Sequence, residues 1–572
     1  MRKNAILRIR IITGVILLLS LILVGRLYQI QVVLHTEYES RAERQYVHTV
    51  KDLYSRGSIF FTTKDGDEVS AATIQSGYLL AIDPTRIDNS TTTYEKLSTI
   101  YPLDKEDFIL KANNKERTYQ EIATRISNEQ SDAIESLGLK GVQMYRNQWR
   151  YYPGDDLSAR TIGFVGFSEE SGDSLTGRYG LERYYDDVLT RDDGRISVNF
   201  FAEIFSNIGN IIFDTTKSQT GDVVTTIEPT VSRMLDRELE MIQDTYQSDL
   251  TGGIIINPQT GEIYALNAVP TFNLNDRTGT KIADFRNPLV EDVYEMGSII
   301  KALTVAAGLD SGVINSATTY YDAGFIDLDT YTIRNYDGKG RGTVNMQEVL
   351  KQSLNTGVSF IVKTMGKTKF REYFKALKFG NETGVDLPNE TYGLINNLES
   401  PRDVEYATAS FGQGIALTPM ETVRALATLG NGGKLITPHI AKKIKFQDGT
   451  SKDIMYPEGD TVFKKETSEE ISRMLTVVVD EALGGGKVKL EHYSIAAKTG
   501  TAQIADHAGG GYYDDRYLHS FFGYFPSYDP KFLIFLYTVE PKGVQYASET
   551  LTTPFMDLAK FLINYYNVPP DR

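Results

Sequence analysis

Residues Ser298 to Leu309 read as a helix that is apolar on most faces, with Gly308 and Gly312 near its end. A helix of that kind cannot lie on a surface and has to be enclosed by other elements. The surrounding sequence supplies material to enclose it. Gly253–Asn257, a turn at Pro258-Gln-Thr-Gly261 and Glu262–Asn267 read as an antiparallel hairpin, and Ser520–Phe525 and Phe532–Val539 flank a second turn at Pro526–Pro530. Thr467-x-x-Glu470 has the form of a capping box for a helix whose Ile471, Met474, Leu475, Val478 and Ala482 share one face, with Gly484 as its stop. The expected fold class is therefore α+β, an antiparallel sheet covered by helices, over residues 221–572.

The first 220 residues differ in character. Ile11 to Gly25 is apolar apart from Thr13 and Ser20, which is short of the roughly 20 residues a bilayer needs. The run extends to Val33 if Arg26 snorkels, so residues 11–33 read as a single transmembrane anchor. Arg2, Lys3, Arg8 and Arg10 precede it, which makes residues 1–10 a cytoplasmic tail and places the rest outside the membrane. A cleaved signal peptide is the alternative, but Gly25-Arg26-Leu27 is a poor small-x-small cleavage site. Residues 34–220 form a polar, irregular α+β module with a strand at Tyr78–Ile82. Within it, Tyr119–Leu137 reads as a helix from the spacing of Ile122, Ile126, Ala133 and Leu137.

Composition excludes several functions. The net charge of −15 with no basic stripe argues against nucleic acid, and the absence of cysteine removes disulfides and thiolate metal sites. With no His-Glu-x-x-His pattern and no phosphate-binding loop, no cofactor or metal is expected.

Three short motifs carry chemistry. Ser298-Ile-Ile-Lys301 opens the buried helix after Gly297, which places the Ser298 hydroxyl among unsatisfied N–H groups with Lys301 one turn on. Among Ile299, Ile300, Leu303 and Val305 the amine of Lys301 would be desolvated and its pKa lowered toward that of a usable base. Helix capping beside a surface lysine is the alternative. Ser353-Leu-Asn355 lies at a helix end or in a short loop, where Ser353 would relay a proton and Asn355 would hold a substrate amide; plain turn chemistry also accounts for it. Lys498-Thr499-Gly500-Thr501 follows a short apolar run that suits an edge strand. It offers a cation and two hydroxyls to a carboxylate, with Gly500 permitting close backbone approach; a surface turn is the competing reading. Ser-x-x-Lys alone is weak, since chance gives about one or two matches in a chain this long. Ser197-Val-Asn199 shows that Ser-x-Asn is equally common.

In this order the trio resembles the penicillin-recognising serine acyltransferases, and the rest of the chain resembles the class B penicillin-binding proteins. Arg26-Leu-x-x-Gln29, Arg56-Gly-Ser-Ile59, Arg150-Tyr-Tyr-Pro153, Gly163-Phe-Val-Gly166 and Gly177-x-x-Gly180-Leu-Glu182 are similar to that family's anchor and pedestal motifs. Tyr294-Glu-Met-Gly-Ser298, Thr383-Gly-Val-Asp-Leu-Pro388, Phe411-Gly-Gln-Gly414 and Asn431-Gly-Gly433 are similar to its catalytic half. Two departures stand out: Met296 replaces the usual proline, and Ile59–Gly66 lacks the family's Asp-Arg-Asn-Gly turn. Lys498–Gln503, Gly509–Tyr513 and Tyr546–Phe555 look most like the cell-division FtsI branch.

The resemblance implies a pedestal over 34–220 and a transpeptidase domain of serine β-lactamase-like fold over 221–572. It also implies a single-pass cell-membrane protein with an extracytoplasmic site. The implied reaction is cleavage of the D-Ala-D-Ala bond of a peptidoglycan stem peptide through an acyl-enzyme on Ser298. Lys301, Ser353, Asn355 and Lys498 would be catalytic, and Thr499, Gly500 and Thr501 would bind substrate. β-Lactams are the implied inhibitors and a lipid-II-polymerising SEDS-type glycosyltransferase the implied partner. Elongation-type transpeptidation, D,D-carboxypeptidase activity and a β-lactam sensor are the rival readings.

Overall fold

The computed structural model describes residues 56–167, 175–191, 220–506 and 509–572. The proposed anchor at 11–33, Arg26-Leu-x-x-Gln29 and Ser197-Val-Asn199 lie outside the described residues. Among the described residues no helix is long and apolar enough to cross a membrane. The chain forms two compact units. One comprises, among described residues, Arg56 and residues 74–151; the other comprises residues 57–73, 152–191 and 220–572. Residue 220, where the sequence reading divides the chain, falls inside the second unit. There Ile59–Thr62 pairs in parallel with Gly221–Thr225, which pairs with Ala441–Phe446. Tyr185 Oη also donates to the buried Asp386 carboxylate (3.0 Å), which accepts from Ile440 N and Ala441 N at 2.7 Å.

The strand Glu68–Ile82, whose residues from Ile74 onward belong to the first unit, contains the expected Tyr78–Ile82 segment. The helix expected over Tyr119–Leu137 is instead a strand, Gln120–Ile126, followed by a helix, Asn128–Ser136. A spacing of four, as between Ile122 and Ile126, fits alternate strand positions as well as a helical face. Ser127 then starts the helix with a capping box to Gln130.

The second unit is built on a five-stranded antiparallel sheet. Its strands are β1 (Leu250–Ile256), β2 (Ile263–Val269), β3 (Ala496–Ala505), β4 (Tyr512–Phe525) and β5 (Phe532–Val539), in the order β3-β4-β5-β1-β2. Both hairpins read from sequence are present, and β3 is an edge strand. Side-chain alternation sends the sheet's two faces into separate cores. Ile254, Ile256, Phe522 and Phe535 join the core around α2 (Ile300–Asp310). Ile255, Phe521, Ile534 and Leu536 join a second core with α1 (Pro229–Tyr246) and the helix Thr552–Tyr565. Every residue of α2 from Ile300 to Gly308 is buried, as its all-round apolar character requires.

The capping box read at Thr467 does not form. The helix starts earlier, at Lys465, and Thr467 lies in its first turn. Asp310, at the end of α2, supplies the acceptor: its Oδ1 takes Lys464 N at 2.7 Å and Thr467 Oγ1 at 2.9 Å. This helix continues through a wider turn at Val478–Ala482 and gives way to left-handed backbone at Gly484 (φ 58°).

Candidate active site

Ser298 sits on a 3₁₀ turn, Gly297–Ile299, that runs directly into α2. The turn is wedged against the edge strand at backbone level. Gly297 has φ +65°, and a Cβ there would lie 3.0 Å from the Thr501 carbonyl carbon. A Cβ on Gly500 would meet Met296 O at 2.8 Å and Ile299 N at 3.0 Å. Two glycines thus let β3 pass the Ser298 turn with no side chain between them. Ser520 Oγ donates to Met296 O (2.7 Å) from the strand behind, and Gly297 N donates to Gly412 O (3.1 Å). Met296 is buried with its carbonyl held.

Two buried lysines converge on one hydroxyl. Lys301, 1 % exposed and one helical turn beyond Ser298, donates through Nζ to Ser353 O (2.6 Å) and Ser353 Oγ (3.1 Å). Lys498, 4 % exposed, donates to Ser353 Oγ and Thr499 O, both at 3.0 Å. Burial pushes the Lys301 amine well below the usual lysine range, and the charge of Lys498 adds to the effect. Burial alone lowers Lys498 to about 8. Ser353 adopts left-handed backbone (φ 55°) between α3 (Met346–Lys351) and α4 (Asn355–Met365). For a non-glycine residue that conformation costs roughly 1–3 kcal/mol. It is held here by a tight turn in which Leu354 N donates to Val349 O (2.9 Å).

The remaining residues singled out from sequence are brought to the same place. Asn355 is the first residue of α4, and its Nδ2 donates to Arg334 O (2.8 Å), which uses one of its two N–H donors. Thr499 and Thr501 are half-buried on β3, flanking buried Gly500. Thr501 Oγ1 accepts from Ala547 N (3.0 Å), which leaves its hydroxyl proton for another acceptor.

Sequence reasoning missed two groups beside this site. Glu295, three residues before Ser298, accepts from Gly414 N (2.9 Å) and from Tyr512 Oη (3.1 Å), and burial raises its carboxyl to about 7. Asp322 and Asn335 form a buried cluster at the start of α4. Neither group has a spacing that marks it, because burial and tertiary contact give them their character.

Known proteins share this architecture. The family model for the penicillin-binding protein transpeptidase domain matches residues 251–559, and that for the penicillin-binding protein dimerisation domain matches residues 54–226. The chain is 30% identical over 547 residues to stage V sporulation protein D of Bacillus subtilis, covering 94% of this chain and 82% of the relative. It is 27% identical over 506 residues to the peptidoglycan D,D-transpeptidase FtsI of Buchnera aphidicola, covering 86% and 84% of the two chains. It is 27% identical over 584 residues to the peptidoglycan D,D-transpeptidase MrdA of Acinetobacter baumannii, covering 92% and 84%. The crystal structure of penicillin binding protein 2X from Streptococcus thermophilus has the same fold, with a TM-score of 0.71 at 20% identity over 90% of this chain and 80% of that one.

Proposed function

Because this chain belongs to the class B penicillin-binding proteins and is a peptidoglycan D,D-transpeptidase, we propose that it works through an acyl-enzyme on Ser298 activated by Lys301. The observation that carries this reading is the convergence on the Ser353 hydroxyl of two buried lysines, Lys498 and Lys301, the latter one helical turn beyond Ser298.

The neutral amine of Lys301 takes the proton from Ser298 Oγ as Oγ bonds to the carbonyl carbon of the penultimate D-Ala. Burial, with the positive charge of Lys498 adding to it, keeps Lys301 deprotonated beforehand. The backbone N–H groups of Ser298 and Thr501 receive the oxyanion, each worth about 3–4 kcal/mol. The C–N bond to the terminal D-Ala then breaks, and the proton on Lys301 passes through Ser353 to the departing amine. An amine of a second stem attacks the ester, forms the new amide and returns the proton to Ser298. Asn355 holds the amide of the donor stem, and Thr499 and Thr501 receive its terminal carboxylate with Lys498.

Residues 11–33 anchor the enzyme in the cell membrane with the site outside, and division-type wall synthesis beside a lipid-II-polymerising glycosyltransferase is its setting. Lys498–Gln503 and Tyr546–Phe555 support the division assignment. A labelled D-amino acid offered with a D-Ala-D-Ala stem peptide tests the chemistry. Incorporation of the label that disappears in Ser298→Ala is the expected result; release of D-Ala without incorporation would make the enzyme a carboxypeptidase. A fluorescent fusion that fails to gather at the septum would contradict the division role.

A further inference from the structure

A buried polar cluster beside the site takes no part in the steps above. Asp322 ends the strand Thr319–Asp322, Asn335 follows the strand Tyr331–Arg334, and Thr356 is the second residue of α4. Their exposures are 1 %, 3 % and 3 %. Buried polar groups of this kind are costly unless fully satisfied, and these are. The Asp322 carboxylate accepts from Gly324 N (2.9 Å), Arg341 N (3.0 Å), Thr356 Oγ1 (2.8 Å) and, through both oxygens, Asn335 Nδ2 (3.0 Å).

The cluster ends on the first turn of α4. α4 begins at Asn355 without a side-chain cap of its own, since its N-cap is Leu354. Asn335 Oδ1 takes the place of that cap by accepting from Thr356 N (3.2 Å). Its neighbour Arg334 accepts the Asn355 amide through its carbonyl (2.8 Å). Two consecutive residues, 334 and 335, therefore grip two consecutive residues, 355 and 356. Asn335 cannot turn its amide over: Thr356 N needs an acceptor, whereas the Asp322 carboxylate and Lys339 O (3.2 Å) need a donor.

We propose that Asn335, locked by Asp322, is a positioning residue that sets the orientation of Asn355 and through it the preference for acylating substrates that carry a side-chain amide. This rests on the role proposed above for Asn355. A mere brace for the small strands Thr319–Asp322 and Tyr331–Arg334 would affect all substrates alike, whereas a positioning role is selective.

The test uses purified full-length protein and the rates at which benzylpenicillin, which has a side-chain amide, and 6-aminopenicillanic acid, which lacks one, acylate Ser298. Asn335→Ala is expected to slow benzylpenicillin about ten- to a hundredfold, the scale of a misplaced contact group, and to change 6-aminopenicillanic acid less than threefold or so. The rate ratio should fall toward that of Asn355→Ala, and the double variant should lose nothing further. Asn335→Ser, which keeps a short acceptor for Thr356 N, should recover part of the ratio and carries the comparison if the alanine variant does not fold. Equal slowing of both β-lactams, or full additivity with Asn355→Ala, overturns the proposal. An unchanged ratio in Asn355→Ala itself would instead sink the role assigned to that residue.

Discussion

Replacing Lys498 by methionine should change the pH dependence of stability in a direction that the burial of the lysine dictates. Lys498 is 4 % exposed, and burial lowers its amine from 10.5 to about 8. At 1.36 kcal/mol per pH unit, that drop is worth about 3 kcal/mol. Between those two values the unfolded chain holds a proton that the folded protein has released, so wild-type stability rises with pH across the window. Below pH 8 the full penalty stands. Methionine removes it but also removes the hydrogen bonds to Ser353 Oγ and Thr499 O, together worth about 2 kcal/mol at any pH. At pH 7 Lys498→Met should therefore be about as stable as the wild type or roughly 1 kcal/mol more so. Near pH 10.5 it should be less stable by about 2 kcal/mol, the hydrogen-bond loss alone. Urea unfolding of both proteins at the two pH values, followed by circular dichroism, measures the difference. A difference that stays constant with pH, or that moves the other way, would refute the buried-amine reasoning. The same substitution frees Lys301 of a neighbouring positive charge, so the acid limb of whatever acylation remains should move to higher pH.

Ser353→Ala removes the hydroxyl on which both lysines converge; acylation should slow about 10²–10⁴-fold, the worth of a proton shuttle, while circular dichroism remains native. Gly500→Ala would set a methyl 2.8 Å from Met296 O and 3.0 Å from Ile299 N. Both are backbone atoms, so the variant should lose about 1–3 kcal/mol in a thermal melt and nearly all acylation. Glu295 is held at about 7 by burial, so the folded protein keeps a proton that the unfolded chain gives up between about pH 4.5 and 7. Its contribution is present in full below that window and is lost as pH rises through it. Relative to Glu295→Gln, the wild type should lose stability from pH 4.5 to 7; a flat difference would place that carboxyl in water.

Much of the catalytic unit is legible in the sequence because local pattern and tertiary role coincide there. α2 is apolar all round and is buried all round, and the hairpins around Pro258–Gly261 and Pro526–Pro530 carry their own turn signals. Each of the three short motifs contributes to one convergence, in which Lys301 and Lys498 both reach the hydroxyl of Ser353. Legibility ends where an element depends on partners distant in the chain. Ile122 and Ile126 fit helix and strand alike, and pairing of Gln120–Ile126 with Tyr78–Ile82 decides for strand. The helix from Lys465 is capped by Asp310, a residue over 150 positions earlier, which no local capping rule contains. Glu295 and Asn335 are ordinary residue types in ordinary contexts until the fold half-buries one and turns the other into a cap for a helix twenty residues on.

The central claim is that Ser298 is the acylated residue and that the buried amine of Lys301 activates it. Incubating the protein with a labelled penicillin and mapping the adduct by peptide mass spectrometry tests this most directly, in the wild type, Ser298→Ala and Lys301→Met. One adduct is expected, on the peptide containing Ser298, absent from Ser298→Ala and slowed by orders of magnitude in Lys301→Met. An adduct elsewhere, one that survives Ser298→Ala, or one that forms at an undiminished rate in Lys301→Met would contradict it.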